Sequence, residues 1–215
     1  MKSVLMIGMG RFGRHMSEKL LELGHEVMAV DMDENRIIQS RQFVTNSEIG
    51  DASHEDFIKH LGVENYDLCV VSIGDNFQNS LIITSLLREQ GAKFIVSRAS
   101  RDIQAKLLLR NGANEVIYPE KEQAITAAVR FGSDNVFGYI PLTEDIAIYE
   151  TPVPAAWIGK TLAELNIRKK FDINVVAIKL GDRIISTPGA EYVFTGTEVI
   201  FIIGTEEKVQ TFTKF

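Results

Sequence analysis

The first 130 residues alternate between short apolar runs and amphipathic stretches. Val4 to Ile7 are all apolar, and Gly8-Met9-Gly10-Arg11-Phe12-Gly13 follows them. A short apolar run bounded by glycine reads as a strand covered on both faces. Residues 11–23 then place Phe12, Met16, Leu20 and Leu23 on one helical face, with Gly24 as a C-terminal stop. The same rhythm predicts strands at 26–30, 43–49, 66–73, 94–96 and 115–118. Helices are predicted at 54–61, from the Gly74-Asp75-Asn76 turn to Gln90, and from Ser100 to Asn111. Six strands with intervening helices predict an α/β fold, a Rossmann-like doubly wound parallel sheet. Right-handed crossovers restrict its topology.

The rhythm changes after residue 131, and Gly132-Ser133-Asp134-Asn135 reads as a break. The division expected is 1–133 for the sheet domain, with a crossover helix near its end, and 134–215 for a small α+β lobe. The second part predicts strands at 146–149, 174–180, 183–186 and 199–203, with Gly181-Asp182 as a two-residue hairpin turn. Short helices are expected at 160–165 and 206–213. A unit of about 75 residues is near the lower size for an independent core, so dimerisation is expected to support it. Residues 121–130 form a helical pattern that is apolar over much of its surface. That helix packs on its own sheet or crosses to a second subunit; the pattern leaves both open.

Hydrophobic content of 45% and charged content of 24% are those of an ordinary globular chain. The net charge of −6 argues against general nucleic-acid binding, which needs a basic face. The one cysteine, Cys69, lies inside an apolar run and reads as a small buried hydrophobe, so no intrachain disulfide is possible. The opening apolar run is too short for a secretion signal, and no stretch has the length of a membrane span. A cytoplasmic protein is expected, with any membrane association made through a partner.

The opening turn carries chemistry as well as periodicity. Gly8 permits a tight turn, Gly10 lets backbone approach a phosphate, and Gly13 lets the helix pack against the strand. The helix N–H groups then face the phosphates. Eighteen positions past Gly13, the second apolar strand ends in Asp31, which would accept hydrogen bonds from ribose hydroxyls. Asp31 favours an unmodified ribose over one bearing a 2′-phosphate. Strand, glycine turn, helix, second strand and acid together form a dinucleotide-binding fingerprint.

Other candidates follow the ends of the predicted strands. Asp51 and Ala52 follow the third, and Asp51 reads equally as a helix N-cap. Ser72, Ile73 and Gly74 follow the fourth, where small residues let a flat base approach. Arg98 follows the fifth and reads as a phosphate ligand or a surface ion pair. Arg11 lies within the glycine turn, beside the phosphates, where a solvated arginine is the alternative. Glu120 begins the helix after Pro119 and complements its macrodipole. Where two nucleotides meet across a dimer, such an acid could instead hold a divalent cation, Mg or Ca, among the phosphates.

Catalysis is disfavoured. All four histidines, His15, His25, His54 and His60, lie in the first sixty residues on or beside predicted helices. No GxSxG elbow, Walker A lysine pattern or paired metal-binding histidines are present. A nucleotide sensor fits better, and a small NAD-dependent oxidoreductase is the alternative.

With these residues in view, nearly the whole chain resembles the RCK proteins, regulators of conductance of potassium. It is most similar to the cytosolic regulatory subunits of Ktr/Trk potassium uptake. The resemblance rests on Ile7-Gly8-Met9-Gly10-Arg11-Phe12-Gly13, on Gly24-His25-Glu26-Val27 leading to Val30-Asp31, on Gly50-Asp51-Ala52, and on Gly112-Ala113-Asn114 before Tyr118-Pro119-Glu120-Lys121. It implies a homodimer with a swapped helix near 121–138, and four dimers in an octameric ring beneath a membrane potassium-translocating subunit. It implies ATP and ADP, or NAD(H), at Gly8, Gly10, Arg11, Phe12, Gly13 and Asp31, with Arg98 as a basic position. Arg11 would reach a neighbouring subunit's ATP, and Glu120 would hold the cation. It further implies cyclic di-AMP at the second lobe, contacting Ile167, Arg168, Asn174, Val175 and Pro188. The bland reading of Ile167, Val175 and Pro188 is lobe core and a turn.

Overall fold

A computed structural model describes residues 1–213. Contacts divide the chain into a unit of Met1–Lys121 and a second unit from Glu122 onward. The first unit is a six-stranded sheet, β1 (Ser3–Ile7), β2 (Glu26–Asp31), β3 (Asn46–Ile49), β4 (Leu68–Val71), β5 (Ile95–Arg98) and β6 (Glu115–Ile117). Its order is β3-β2-β1-β4-β5-β6, and every neighbouring pair is parallel. The connecting helices are α1 (Arg11–Glu22), α2 (Glu34–Ser40), α3 (Glu55–Leu61), α4 (Phe77–Glu89) and α5 (Asp102–Arg110).

The continuous apolar run of β1 follows from its central place. Successive side chains alternate faces, so Leu5 and Ile7 pack with Cys69, Val71 and Ile95, while Val4 and Met6 pack with Val27, Ala29 and Val70. Both faces are dry, so both must be apolar. Cys69 is fully buried, and burial pushes its thiol up to about 12, consistent with a packing role. The strand order reverses between β1 and β4, which opens a crevice above their carboxyl ends.

In this unit α2 is an element that the periodic reading did not predict. It is short and buries Ile37 and Ser40. It is set by Asp33, whose side chain accepts the Asn35 N–H at 2.9 Å.

The division between units falls inside α6 (Pro119–Phe131), earlier than the break expected at residue 133. The physical reason is that Val129 packs against the core of the second unit. That unit contains β7 (Gly138–Pro141), β8 (Ile146–Pro152), α7 (Leu162–Leu165), α8 (Ile167–Phe171), β9 (Asn174–Leu180), β10 (Arg183–Ile185), β11 (Val199–Thr205) and α9 (Glu206–Thr213). Its sheet is antiparallel in the order β10-β9-β11-β8-β7. The hairpin expected at Gly181-Asp182 is present, with Leu180 opposite Arg183. The pattern did not mark β7, an edge strand that includes Gly138 and Pro141, or the five-residue α8.

A buried acid braces the loop before β11. Glu198 is almost wholly buried and accepts the N–H groups of Thr195 and Gly196, each at 2.8 Å, and the hydroxyls of Thr195 and Tyr192. Burial alone would push this carboxyl up. The backbone N–H and hydroxyl donors outweigh burial and hold it below the ordinary glutamate range. Glu198→Gln turns one acceptor into a donor facing N–H groups, and should lower stability by about 2 kcal/mol. Because the folded pKa is depressed, the ionised form's stabilisation is full above the ordinary value of 4.5 and fades as pH falls through the folded value. Denaturant unfolding of both proteins from pH 7 to pH 3 checks this: the gap should narrow towards pH 3, and a constant gap would refute it.

Candidate nucleotide site

Gly8 adopts φ +96°, a conformation open to glycine, and its N–H donates to the Val30 carbonyl at 2.8 Å. Its own carbonyl accepts the Ser72 hydroxyl at 2.5 Å. Ser72 is therefore turned inward and positions the glycine turn. Gly13 is buried, and a Cβ there would fall onto the Gly8 carbonyl oxygen and within 2.7 Å of Ser72 Oγ. Gly10 is different: a Cβ there meets nothing within 4 Å. Gly10 is also the N-cap of α1 and has no side chain to satisfy the first-turn N–H groups, so this helix end has no side-chain cap.

Asp31, 5% exposed, ties the turn to β2. Its Oδ2 accepts the Met9 N–H at 2.7 Å and its Oδ1 the Asp33 N–H at 2.9 Å. Arg36 lies 3.6 Å from the same Oδ2 and reaches Asp33 as well. The predicted ribose acceptor is thus also a structural brace, with lone pairs remaining for a ligand.

These residues open into a cleft of about 920 Å³. Among the predicted positions Gly8, Gly10, Arg11, Phe12, Asp31, Asp51, Ala52, Ser72, Ile73, Gly74, Arg98 and Glu120 line it, and Gly13 lies behind it. Arg11, the first residue of α1, is exposed. Asp51 is not the α3 cap, because that position is His54. Its carboxylate instead accepts the hydroxyl and N–H of Ser53, which hold it below the ordinary aspartate range, and it lies 3.3 Å from His54. Gly74 faces the Arg98 guanidinium, so the space it leaves is filled by Arg98. Arg98 in turn forms an ion pair with Glu120 and lies 5.8 Å from the centre of the Phe12 ring.

Met32, Arg36, Gln39 and Asn79 also line the cleft without belonging to any predicted motif. Two local signals mark their neighbourhood, the caps made by Asp33 on α2 and Asn76 on α4. Glu120 supplies one carboxylate, and no group of three acidic, histidine or cysteine side chains suited to a metal ion occurs among the described residues.

In the second unit, Arg168 Nε donates to Asn174 Oδ1 at 2.5 Å, so the fold brings these two together. Ile167 is buried in the core, Val175 packs against it, and Pro188 is half-buried between β10 and β11.

The comparisons agree with this architecture. The TrkA-N domain family matches residues 4–119 and the TrkA-C domain family matches residues 146–215. The chain is 36% identical over 213 residues to Ktr system potassium uptake protein C of Bacillus subtilis, spanning 99% of this chain and 96% of the relative. It is 31% identical over 211 residues to Ktr system potassium uptake protein A of the same organism, spanning 98% and 95%. Among solved structures, the GsuK channel superposes with a TM-score of 0.72 at 17% identity, covering 98% of this chain and 38% of the channel chain. The isolated GsuK RCK domain gives 0.69 at 17% identity, covering 98% and 46%. This chain therefore spans less than half of those solved chains, and that likeness establishes the fold. The two domain matches and the identity to the Ktr proteins show that the chain belongs to the family built of TrkA-N and TrkA-C domains.

Proposed function

We propose that the chain is a nucleotide-sensing gating subunit of a membrane potassium uptake system, regulatory and not catalytic. The observation that carries this reading is the cleft, in which an uncapped helix N-terminus, an acid at the tip of β2 and four arginines, Arg11, Arg14, Arg36 and Arg98, meet. Its relatives by sequence are potassium uptake proteins of Ktr systems. The cleft volume suits a nucleotide or dinucleotide. ATP and ADP are the proposed ligands, with NAD(H) as an alternative occupant; GsuK is known both bound to NAD and bound to ADP. No helix among the described residues is long and apolar enough to cross a membrane. The proposed place of action is the cytoplasmic face, through a membrane potassium-translocating subunit.

The proposed assembly is a homodimer within an octameric ring. The crossing role for α6 gains support because it buries no residue within the chain, and Ile125 and Phe131 are 45% and 79% exposed. A divalent cation near Glu120 would need phosphate oxygens and a second chain's acid to complete its shell. Cyclic di-AMP is proposed for the second lobe on narrower ground, the pairing of Arg168 with Asn174.

A ligand gates only by binding two states unequally. ATP differs from ADP by one phosphate, and Arg11, exposed in the cleft lining, is the residue proposed to read it from a neighbouring subunit. Calorimetric titration of nucleotide-free protein with ATP, ADP and NADH tests the reading. Binding of both ATP and ADP is expected, and Arg11→Ala should bring the two affinities within about twofold of each other. Unchanged ATP/ADP selectivity in the variant would remove Arg11 from this role. Tight NADH binding with no ATP or ADP binding would favour the oxidoreductase.

A further inference from the structure

We propose that Glu120 is an internal competitor for the ligand's phosphates, holding the Arg98 guanidinium in the ligand-free chain until a phosphate displaces it. The proposal rests on the nucleotide reading of the cleft. Arg98 ends β5 with its side chain 18% exposed, between Phe12 and Gly74. Its Nε is buried and has no hydrogen-bond partner among the described residues. The guanidinium is therefore fixed and poorly solvated, and Glu120 is the anion that compensates it. The Glu120 side chain is 57% exposed and sits in the first turn of α6, so it is the more readily moved partner.

A guanidinium presents a planar fork, and a carboxylate and a phosphate compete for the same donors. Withdrawing Glu120 with nothing in its place leaves a partly buried charge unpaired. A terminal phosphate brings more charge and more acceptor oxygens than a carboxylate, so it can complete the exchange where an uncharged ligand cannot. The cleft thereby selects for phosphate charge. The exchange also releases an ion pair that holds the start of α6; another joins Lys121 to Asp102 at 2.7 Å.

The test is titration with ADP and with inorganic pyrophosphate, in chelator so that divalent ions play no part. Glu120→Gln should bind both about fivefold more tightly than wild type. The gain should vanish in an Arg98→Gln background. Glu115→Gln, which removes an exposed carboxylate outside the cleft lining, should change affinity by less than about twofold. Unchanged or weaker binding by Glu120→Gln overturns the proposal. An equal gain without Arg98 also overturns it, because simple charge repulsion would then suffice. Thermal unfolding checks the Arg98→Gln fold; if it fails to fold, Arg98→Lys, which lacks the fork, takes its place and should lose most of the gain. Pyrophosphate binding by Glu120→Gln, with no ADP binding by either protein, would keep the exchange and overturn the nucleotide reading.

Discussion

Gly10→Asp is expected to abolish ADP binding while leaving the protein as stable as wild type or slightly more so. The backbone at Gly10, φ −67° and ψ −174°, is open to any residue, and a Cβ there meets nothing within 4 Å. The substitution therefore folds. An aspartate at this N-cap accepts the first-turn N–H groups of α1, which adds about 0.3 kcal/mol over glycine. Those N–H groups are the ones a phosphate would use. The new carboxylate also stands beside the phosphate, and two unit charges about 4 Å apart near a protein surface repel by about 4 kcal/mol. Even part of that is a loss of more than about 100-fold in affinity. Calorimetry and thermal unfolding of the same sample decide the matter. A variant that binds ADP as wild type does would mean that the phosphates do not lie at the end of α1.

The sheet of the first unit was legible because its central strands are dry on both faces, which leaves uninterrupted apolar runs such as Val4 to Ile7. The glycine turn was legible because its demands are local: a positive φ at Gly8, open space at Gly10, a close contact at Gly13. What sequence could not show depends on distant partners. Ser72 reads as a small residue at a strand end, and its hydroxyl is in fact spent on the Gly8 carbonyl. Gly74 reads as room for a base, and the room is taken by Arg98. Arg98 and Glu120 each stand out in the sequence, but their pairing joins a strand end to a helix start. In the same way β7 hides behind a glycine and a proline, which an edge strand tolerates. The division inside α6 depends on where Val129 packs, and an amphipathic helix does not declare which core it will join.

Gly13→Ala should act through the opposite physics from Gly10→Asp. Alanine is the better helix former by about 1 kcal/mol, so propensity alone predicts a more stable α1. The added Cβ, however, would fall onto the Gly8 carbonyl oxygen and crowd Ser72 Oγ, two atoms already hydrogen-bonded to each other. A backbone oxygen in a tight turn cannot rotate aside as a side chain can. Relief requires α1 to slide away from β1, which loosens packing around the fully buried Val4 and Met6 and disturbs the Ser72 bond. Overpacking of this kind should exceed the propensity gain and leave a net loss of about 3 kcal/mol. For a unit of this size that is a fall in Tm of about 10 °C. Gly10→Ala is the control, with no atom to meet, and should unfold within about 2 °C of wild type. Equal Tm values for the two alanine variants would mean that α1 tolerates displacement, and that close packing is not what requires glycine at position 13. A large gap, with ADP binding lost in Gly13→Ala but retained in part by Gly10→Ala, would separate two requirements of the turn: Gly13 sets where the helix begins, and Gly10 leaves its end open to an anion.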